Sequence, residues 1–571
     1  MYVVATAGHV DHGKSTLVRA LTGTDPDRLE EEKRRGLSIR LGYCWTVLDG
    51  VGEVAFVDVP GHERFLTTTL AGVGPVPVAL FVVAADDPWM PQAAEHLAAL
   101  DALGVRHGLL AVTRSDLADP APALARARDE LSRTSLAGIP GVVCSGRTGA
   151  GLGDLRTALA SVLRDVSPPD PSADIRLWVD RVFHVRGTGT VVTGTLPAGT
   201  LRVGDRLLLG QQPARVRGLQ CLGEQVTQVT GVARVAVALA DRPHDPGPVR
   251  VLVTPDAYDA VEVMDVRVTD GRTLPERPLL HVGATFVSVH ARPLGDRFAR
   301  LRLEHALPLR VGDRALLRNP GDRSLWGVEV LDVDPPDLRR RGSGGARVAV
   351  LETLDGTLAA DLAARGLVHR PGLRRRGVPG APVPGDALVH GDWIVSGSEA
   401  DRLRIALGDL VRASAAGVTK PAAAEHLGLP EPGLVEALVE PPMRVVAGRV
   451  TSGDDLPDRL LDAVSALRED LAESPFAAPD ADRLRSLGLE PAGLARLARD
   501  GQVLRLRDNV VLLPGADNLA VRRLGELEQP FTTSQARLAL ATSRRVALPL
   551  LEHLDRTGRT VRLPDDRRRV R

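Results

Sequence analysis

GHVDHGKST occupies residues 8–16, and what flanks it decides how the first third of the chain folds. The apolar run VVATA (3–7) enters it and STLVRALTG (15–23) leaves it, so the pattern predicts strand, loop, helix. Gly8, Gly13, Lys14 and Ser15 satisfy G-x-x-x-x-G-K-[ST]. Backbone N–H groups along such a loop, His9, Val10, Asp11, His12 and Thr16 included, cradle phosphates at the N-terminus of the following helix. Lys14 reaches the outer phosphates, and the Ser15 hydroxyl is offered to Mg²⁺.

Working outward, apolar β-rich runs (VAFVDV, VALFVVAA, HGLLAVT, GVVCS) alternate with helix-like stretches to about residue 168. That alternation predicts an α/β domain with a parallel sheet over 1–168. DVPGH (58–62) follows a strand, placing Asp58 where a carboxylate holds a metal through water. Gly61 there lets a backbone N–H approach a terminal phosphate with no Cβ in the way. TRSD (113–116) follows HGLLAVT, so Asp116 is expected at a strand's carboxyl end, where sheets of this kind bind ligands. A carboxylate at that point accepts two hydrogens from guanine's edge, which adenine does not offer. CSGRTGAGLGDL (144–155) completes the set, with Ser145 and Gly146 bracing the base. Together these elements point to a guanine nucleotide.

SPPDPSAD (167–174) is a linker by composition. From about 175 to 335 the texture becomes short strands with Gly/Asp/Pro turns. "RVGD" recurs in LRVGDRLLL and LRVGDRALL, which predicts two β-barrels, 175–253 and 254–335. PPDLRRRGSGG (335–345) marks another joint. Beyond it, four helical stretches run into strand–turn–strand endings: DALVHGDWIVS, MRVVAGRVTS, GQVLRLRDNVVLL and GRTVRLPDDRRRV. Helices followed by a two-stranded ribbon are the layout of a winged helix. The expectation is therefore a tandem array over 336–515 and a last winged helix over 516–571, with one irregular helical domain as the alternative.

Composition bounds the rest. With 571 residues the prior is roughly four domains. Lys+Arg and Asp+Glu balance at 72 each, so contact with a polyanion has to come from a local patch. Cys44, Cys144 and Cys221 form no CxxC pair, which argues against a disulfide framework or zinc site and suits a reducing compartment. No signal peptide or long apolar run is present, so a soluble cytoplasmic chain is expected, without membrane contact.

These motifs resemble the translational GTPases, and the first 335 or so residues resemble elongation factor Tu in having a G domain and two barrels. The resemblance implies that GTP and GDP are the nucleotides and that Mg²⁺ is bound by Ser15, Ser38 and Asp58. Ser38 takes the place of the switch threonine. His62 takes the place of the histidine that orients the attacking water on the ribosome, with Val10 and Leu37 as the apolar pair beside it. Two departures stand out: Ser replaces Thr at 38, and Thr113-Arg114-Ser115-Asp116 replaces the usual NKxD. Arg114 can still stack on the base, whereas Thr113 cannot make an asparagine's amide contacts.

LWVDRVFHVRGTGTVVTG (177–194) resembles the strand pair that forms the aminoacyl pocket of elongation factor Tu, where two consecutive acids stand at the positions of Asp180 and Arg181. Here the second acid is replaced by a cation. Arg234, in GVARVAVAL, falls on a neighbouring strand, and Tyr43 takes the position of a histidine that packs on the aminoacyl group. Two convergent arginines favour an anion. Asp180 is expected to position Arg181. A selenol is far more acidic than a thiol, so selenocysteine would arrive as a selenolate. The whole chain is accordingly similar to the selenocysteine-specific elongation factors.

That resemblance implies a monomeric carrier of selenocysteyl-tRNA to the ribosome at a UGA codon. The last winged helix would bind a hairpin in the selenoprotein mRNA. Thr542 or Ser543 should cap a helix whose first turn exposes Arg544 and Arg545 as RNA contacts, within an arginine-rich end. A general aminoacyl-tRNA carrier and a GTP-controlled winged-helix regulator binding DNA remain open as alternatives.

Overall fold

Six strands build the first domain of the computed structural model: β1 (Tyr2–Ala7), β2 (Gly42–Leu48), β3 (Gly52–Asp58), β4 (Val78–Ala84), β5 (His107–Thr113) and β6 (Gly141–Val143). The structure describes residues 1–26, 41–60, 66–74, 76–87, 89–186, 189–240, 249–269, 272–322, 324–338, 342–414, 417–452 and 458–571. The sheet runs β2-β3-β1-β4-β5-β6. All neighbours are parallel except β2, which pairs with β3 as an antiparallel edge. Helices α1 (Lys14–Thr22), α2 (Leu66–Val73), α3 (Pro91–Ala102), α4 (Ala121–Leu131) and α5 (Leu152–Arg164) connect the strands. Every residue of β4, VALFVVA, is buried, as an inner strand covered on both faces must be. Two apolar cores result, one holding Ala5, Phe81, Leu97 and Leu110, the other Val4, Leu17, Phe56 and Leu159. β1 neighbours β3, and β4 separates β1 from β5 in the same parallel sheet, so the loop after β1, Asp58 at the end of β3 and the loop after β5 share the sheet's carboxyl edge.

The next two domains are barrels. In the first, the strand Arg206–Leu209 pairs with both Gln212–Cys221 and Val251–Val253. That double pairing closes a ring through Arg176–Val185, Gly189–Leu196 and Ala233–Leu239. The second barrel closes through six strands between Val261 and Asp332. Leu70 of α2 with Ala99 and Ala102 of α3 packs on Leu316 of this barrel. The end of the linker is pinned, since the Asp174 carboxylate accepts from Arg310 and Arg374.

The compact unit holding the G domain and barrels continues through Gly385 and includes Asp392–Ile394. Helices Ser343–Thr353, Leu358–Arg365 and Arg370–Arg376 belong to it. A buried ionic network ties them to the second barrel. Arg347 Nε donates to Asp265 at 2.7 Å, and its Nη2 donates to Asp332. Asp265 also accepts from Arg300, and Asp332 from Arg365. Asp265, Asp332 and Arg347 are 0%, 4% and 6% exposed, so each charge depends on its partners in place of water.

The second unit contains helix-and-ribbon modules. One runs from helix Gly397–Arg412 to strands Met443–Val446 and Arg449–Ser452. The next runs from Asp458–Ala472 to the pair Leu504–Arg505 and Val511–Leu512. The last comprises helices Ala516–Gly525, Thr533–Ala539 and Arg544–Arg556, with strands Thr560–Arg562 and Arg568–Val570 as its wing. Phe531 bridges to Arg568, adding a third strand position. The protein is therefore multidomain: a P-loop α/β domain, barrels and C-terminal winged-helix modules.

Arg347→Ala would leave Asp265 and Asp332 buried with one cation fewer each. The expected loss of stability is about 3–5 kcal/mol, read by denaturant unfolding of the full chain. A change under about 1 kcal/mol would mean that water replaces the guanidinium.

Candidate functional site

The phosphate loop holds a shape that its residue types dictate. Gly8 has φ 128° and presses against β4, where an added Cβ would lie 2.1 Å from the Val82 carbonyl oxygen. Gly13, at φ 84°, caps α1. Lys14 is buried, and its ammonium donates to the carbonyls of Gly8 (3.1 Å) and His9 (2.7 Å) across the loop. Ser15 Oγ donates to Asp58 Oδ2 at 2.6 Å, while Thr6 Oγ1 donates to Asp58 Oδ1 at 2.8 Å. A hydroxyl and a carboxylate brought together beside this loop form an oxygen donor set of the kind that Mg²⁺ takes. Ser38, Gly61 and His62, together with Leu37, lie outside the described residues.

The base loop is tied into the phosphate loop. Thr113 is buried, and its hydroxyl lies 2.7 Å from the His12 carbonyl oxygen and 3.1 Å from that of Val83. Arg114 donates to the Asp11 carbonyl and, at 3.2 Å, to the Asp86 carboxylate. Both variant residues of TRSD therefore brace the loop that wraps phosphate. Asp116 is exposed, and its carboxyl is held below the usual carboxylate range first by the Ser145 hydroxyl. Gly146 packs on α1, with Thr16 Cγ2 3.3 Å from where a Cβ would stand. Asp116, Ser145 and Gly146 thus remain as the group that can face a base.

Beneath the loop lies a histidine cluster that motif reading only half reveals. His96, from α3, accepts the Gly8 N–H through Nδ1 at 3.1 Å. It is 80 residues beyond the loop and carries no motif of its own. Burial depresses the His96 pKa to about 3 and that of His12 to about 4, so both are neutral near pH 7. Burial lowers His9 as well. Neutral rings suit this place, since protonating His96 Nδ1 would cancel the acceptor that Gly8 uses.

Tyr43, Arg181 and Arg234 line a cleft of about 350 Å³ between β2 and the first barrel, and Asp180 lies behind it, bonded to Arg234. Pairing slips between Val179 and Arg181, so Asp180 is the extra residue of a bulge. In a regular strand two consecutive residues point to opposite faces, and a bulge re-aims them. Asp180 accepts both guanidinium arms of Arg234, with Nη2–Oδ1 at 2.7 Å, and also the Thr193 hydroxyl at 2.8 Å. The expectation that Asp180 positions Arg181 is corrected here: its partner is Arg234, from the strand Ala233–Leu239. Arg234 lies 4.0 Å above the centre of the Tyr43 ring, and Arg181 lies 5.2 Å from it. Arg181 donates to the Leu41 carbonyl, and among the described residues no carboxylate pairs with it. Burial pushes the Tyr43 phenol up, so the ring stays uncharged.

In the last module Ser543 stands at the N-cap of Arg544–Arg556 without a side-chain capping bond, and Thr542 donates to Phe476 O instead. Arg544 and Arg545 are both exposed, but Arg545 donates to the carbonyls of Ala478 (2.6 Å) and Pro479 (3.1 Å). The wing is also less basic than its sequence suggests, because Arg562 pairs with Asp566, Arg567 with Asp565 and buried Arg568 with Asp555. No described helix is long and apolar enough to cross a membrane.

Residues 1–165 match the family model of the elongation factor Tu GTP binding domain, and residues 522–569 match that of the elongation factor SelB winged helix. The chain is 40% identical over 243 residues to the selenocysteine-specific elongation factor of Desulfomicrobium baculatum, covering 42% of this chain and 38% of that protein. It is 36% identical over 352 residues to the selenocysteine-specific elongation factor of Escherichia coli (strain K12), covering 60% of this chain and 56% of that protein. The matches thus span less than two thirds of these relatives' length. The crystal structure of a bacterial selenocysteine-specific elongation factor superposes with a TM-score of 0.70 over 100% of this chain and 99% of that one, at 24% identity, which shows a shared fold.

Thr113→Val keeps the shape of the side chain and removes the hydroxyl that donates into the phosphate loop. Stranding a buried carbonyl costs about 1–3 kcal/mol, so nucleotide affinity should fall roughly five- to a hundredfold in a fluorescent-nucleotide titration. Affinity within twofold of the parent would show that the brace is dispensable.

Proposed function

We propose that this chain, a homologue of the selenocysteine-specific elongation factors, is a GTPase that carries selenocysteyl-tRNA to the ribosome at UGA codons marked by an mRNA hairpin. Residues 8–16 hold the phosphates of GTP or GDP, and Asp116 reads guanine with Ser145 and Gly146 beneath it. Ser15, Ser38 and Asp58 would hold Mg²⁺, which when bound would screen phosphate charge. His62 orients the attacking water when the ribosome positions it. The protein works as a monomer in the cytoplasm.

One observation carries the choice of cargo: the half-buried Arg181 lies in this cleft with no carboxylate partner among the described residues, while Arg234 beside it is neutralised by Asp180. A selenolate supplies the missing charge. A seryl hydroxyl does not, and leaves a partly desolvated cation without a counter-ion, which is the costly arrangement. Arg234 and Tyr43 shape the wall against which the side chain rests. A general carrier gains nothing from this cation and has no use for the residues after the barrels.

Arg181→Ala should lower affinity for selenocysteyl-tRNA about tenfold or more in the GTP form, while seryl-tRNA with the same body changes by less than threefold. A charge-assisted contact of about 1.5–3 kcal/mol sets that expectation. Equal losses for both would mean that Arg181 supports the RNA backbone or the barrel and not the amino acid.

In the last module Arg544 has no side-chain partner among the described residues, so Arg544→Ala should weaken binding to the cognate hairpin RNA. It should also flatten the dependence of log affinity on log salt by roughly 0.7–0.9. Arg545→Ala should leave that slope unchanged and lower thermal stability instead, because its guanidinium holds the carbonyls of Ala478 and Pro479. A salt slope that drops for Arg545 and not for Arg544 would reverse the assignment.

A further inference from the structure

A cavity of about 670 Å³ opens between the loop that follows β4 and the start of α4. Of the phosphate loop, His12 alone reaches its wall. The nucleotide site uses the backbone of His12, whose carbonyl accepts the Thr113 hydroxyl, and gives its imidazole no task. That residue is 1% exposed. Asp87 Oδ2 stands 3.3 Å from Nε2 and the Val82 carbonyl is near, yet neither ring nitrogen completes a hydrogen bond. The charges around the cavity are unevenly matched. Arg126 on its wall pairs with Glu130, and Asp86 pairs with Arg114. Asp87 meets no lysine or arginine among the described residues. The rest of the described wall is apolar and includes Ala118, Pro122, Ala123 and the indole of Trp89, which stacks on Phe81.

A buried imidazole without hydrogen bonds and a carboxylate without a counter-charge are both costly to keep in a cavity, and together they define what would relieve them. A bare metal ion does not suit, because among the described residues no three His, Cys, Asp or Glu side chains come together to hold one. An anion would meet Asp87 and find no unpaired cation on the described wall. An apolar molecule would fill the space and leave both polar groups unmet. A cation that donates N–H bonds satisfies Asp87 through its charge and His12 through a ring lone pair. Burial lowers the His12 pKa to about 4 and so keeps the ring a neutral acceptor. An apolar body behind that head matches Trp89 and the alanines, and the volume is that of an ordinary small-molecule site.

We propose that this cavity binds a small organic cation, an ammonium or guanidinium carried on an apolar body, and that its occupation tightens nucleotide binding. The coupling follows from what the wall is tied to. His12 accepts Thr113 through its own carbonyl, and Arg114 links Asp86 to the Asp11 carbonyl of the phosphate loop. A ligand held by His12 and Asp87 would fix both sides of that link in the shape that cradles phosphate. Coupling of this kind is reciprocal, so nucleotide would tighten the hold on the cation by the same factor. The site takes no part in cargo binding and is independent of the carrier function proposed above.

Isothermal titration of the full-length protein, with and without GDP, tests this with probes of one shape: phenethylammonium, phenethylguanidinium and the neutral phenethyl alcohol. The cations should saturate a single site with a dissociation constant on the order of a millimolar or lower, and the alcohol should bind about tenfold more weakly or worse. Binding by one cation and not the other would identify the head group that the cavity takes. Asp87→Asn should bring the cations down to the level of the alcohol. Ala123→Leu, which fills space without touching the charges, should weaken cation binding about tenfold or more. GDP should strengthen cation binding about threefold or more, and GDP binding by each variant shows that it is folded. No saturable binding by either cation, or binding that Asp87→Asn and Ala123→Leu both leave unchanged, would overturn the site. Cation affinity that is the same with and without GDP would overturn the coupling.

Discussion

The bidentate pair between Asp180 and Arg234 decides which arginine of the cleft already has its counter-charge. Asp180 has one charge to give, and at the bulge between Val179 and Arg181 it meets Arg234 and Thr193. The side chains of Asp180 and Arg234 are 6% and 13% exposed, so this is not a surface contact of marginal worth. Removing either partner would strand the other. With Arg234 engaged, Arg181 is left without a carboxylate among the described residues, set over the face of Tyr43 and fixed through the Leu41 carbonyl. In the proposed function anion recognition is therefore asymmetric: Arg234 supports the wall and Arg181 meets the ligand.

A comparable division of labour holds at the nucleotide. Thr113 lacks an amide, yet its hydroxyl reaches the same loop backbone that it must hold in place, and Arg114 adds a second tie at Asp11. From the opposite side His96 takes the Gly8 N–H, and its burial keeps the ring neutral so that the bond survives near pH 7. The phosphate loop is thus clamped between β5 and α3. The buried network around Arg347 plays the same part lower in the chain, fixing the helices after residue 342 to the second barrel.

The sequence was most legible where function depends on short-range pattern. GHVDHGKST between an apolar strand and a helix requires the loop that the structure has, and Asp58, Thr113 and Ser145 follow at strand ends, as hydrophobic alternation predicts. Contacts that depend on register across strands were not legible. Nothing in DRVF tells whether Asp180 meets Arg181 or Arg234, because that depends on a one-residue slip against the strand Gly189–Leu196. Buried polar partners far along the chain were equally hidden: His96 looks like any histidine on a helix, and Arg347 looks like any basic residue in a joint. The tail shows the converse. Counting arginines overstated its free charge, since Arg545 is engaged by backbone carbonyls and most of the wing by nearby acids.

The central claim is that the cleft senses charge on the cargo's side chain, and the pH dependence of selenocysteyl against cysteinyl cargo tests it most directly. A thiol ionises near pH 8.5, well above a selenol. Equilibrium affinities of the GTP form should be measured for one tRNA body carrying either residue, from about pH 6.5 to 9.5. The preference for selenocysteine should be large at neutral pH and shrink as pH rises through roughly 8.5, because the cysteinyl group then arrives as an anion too. A preference that stays constant across that range would mean the pocket measures size or polarisability and not charge, and the role given to Arg181 would be contradicted.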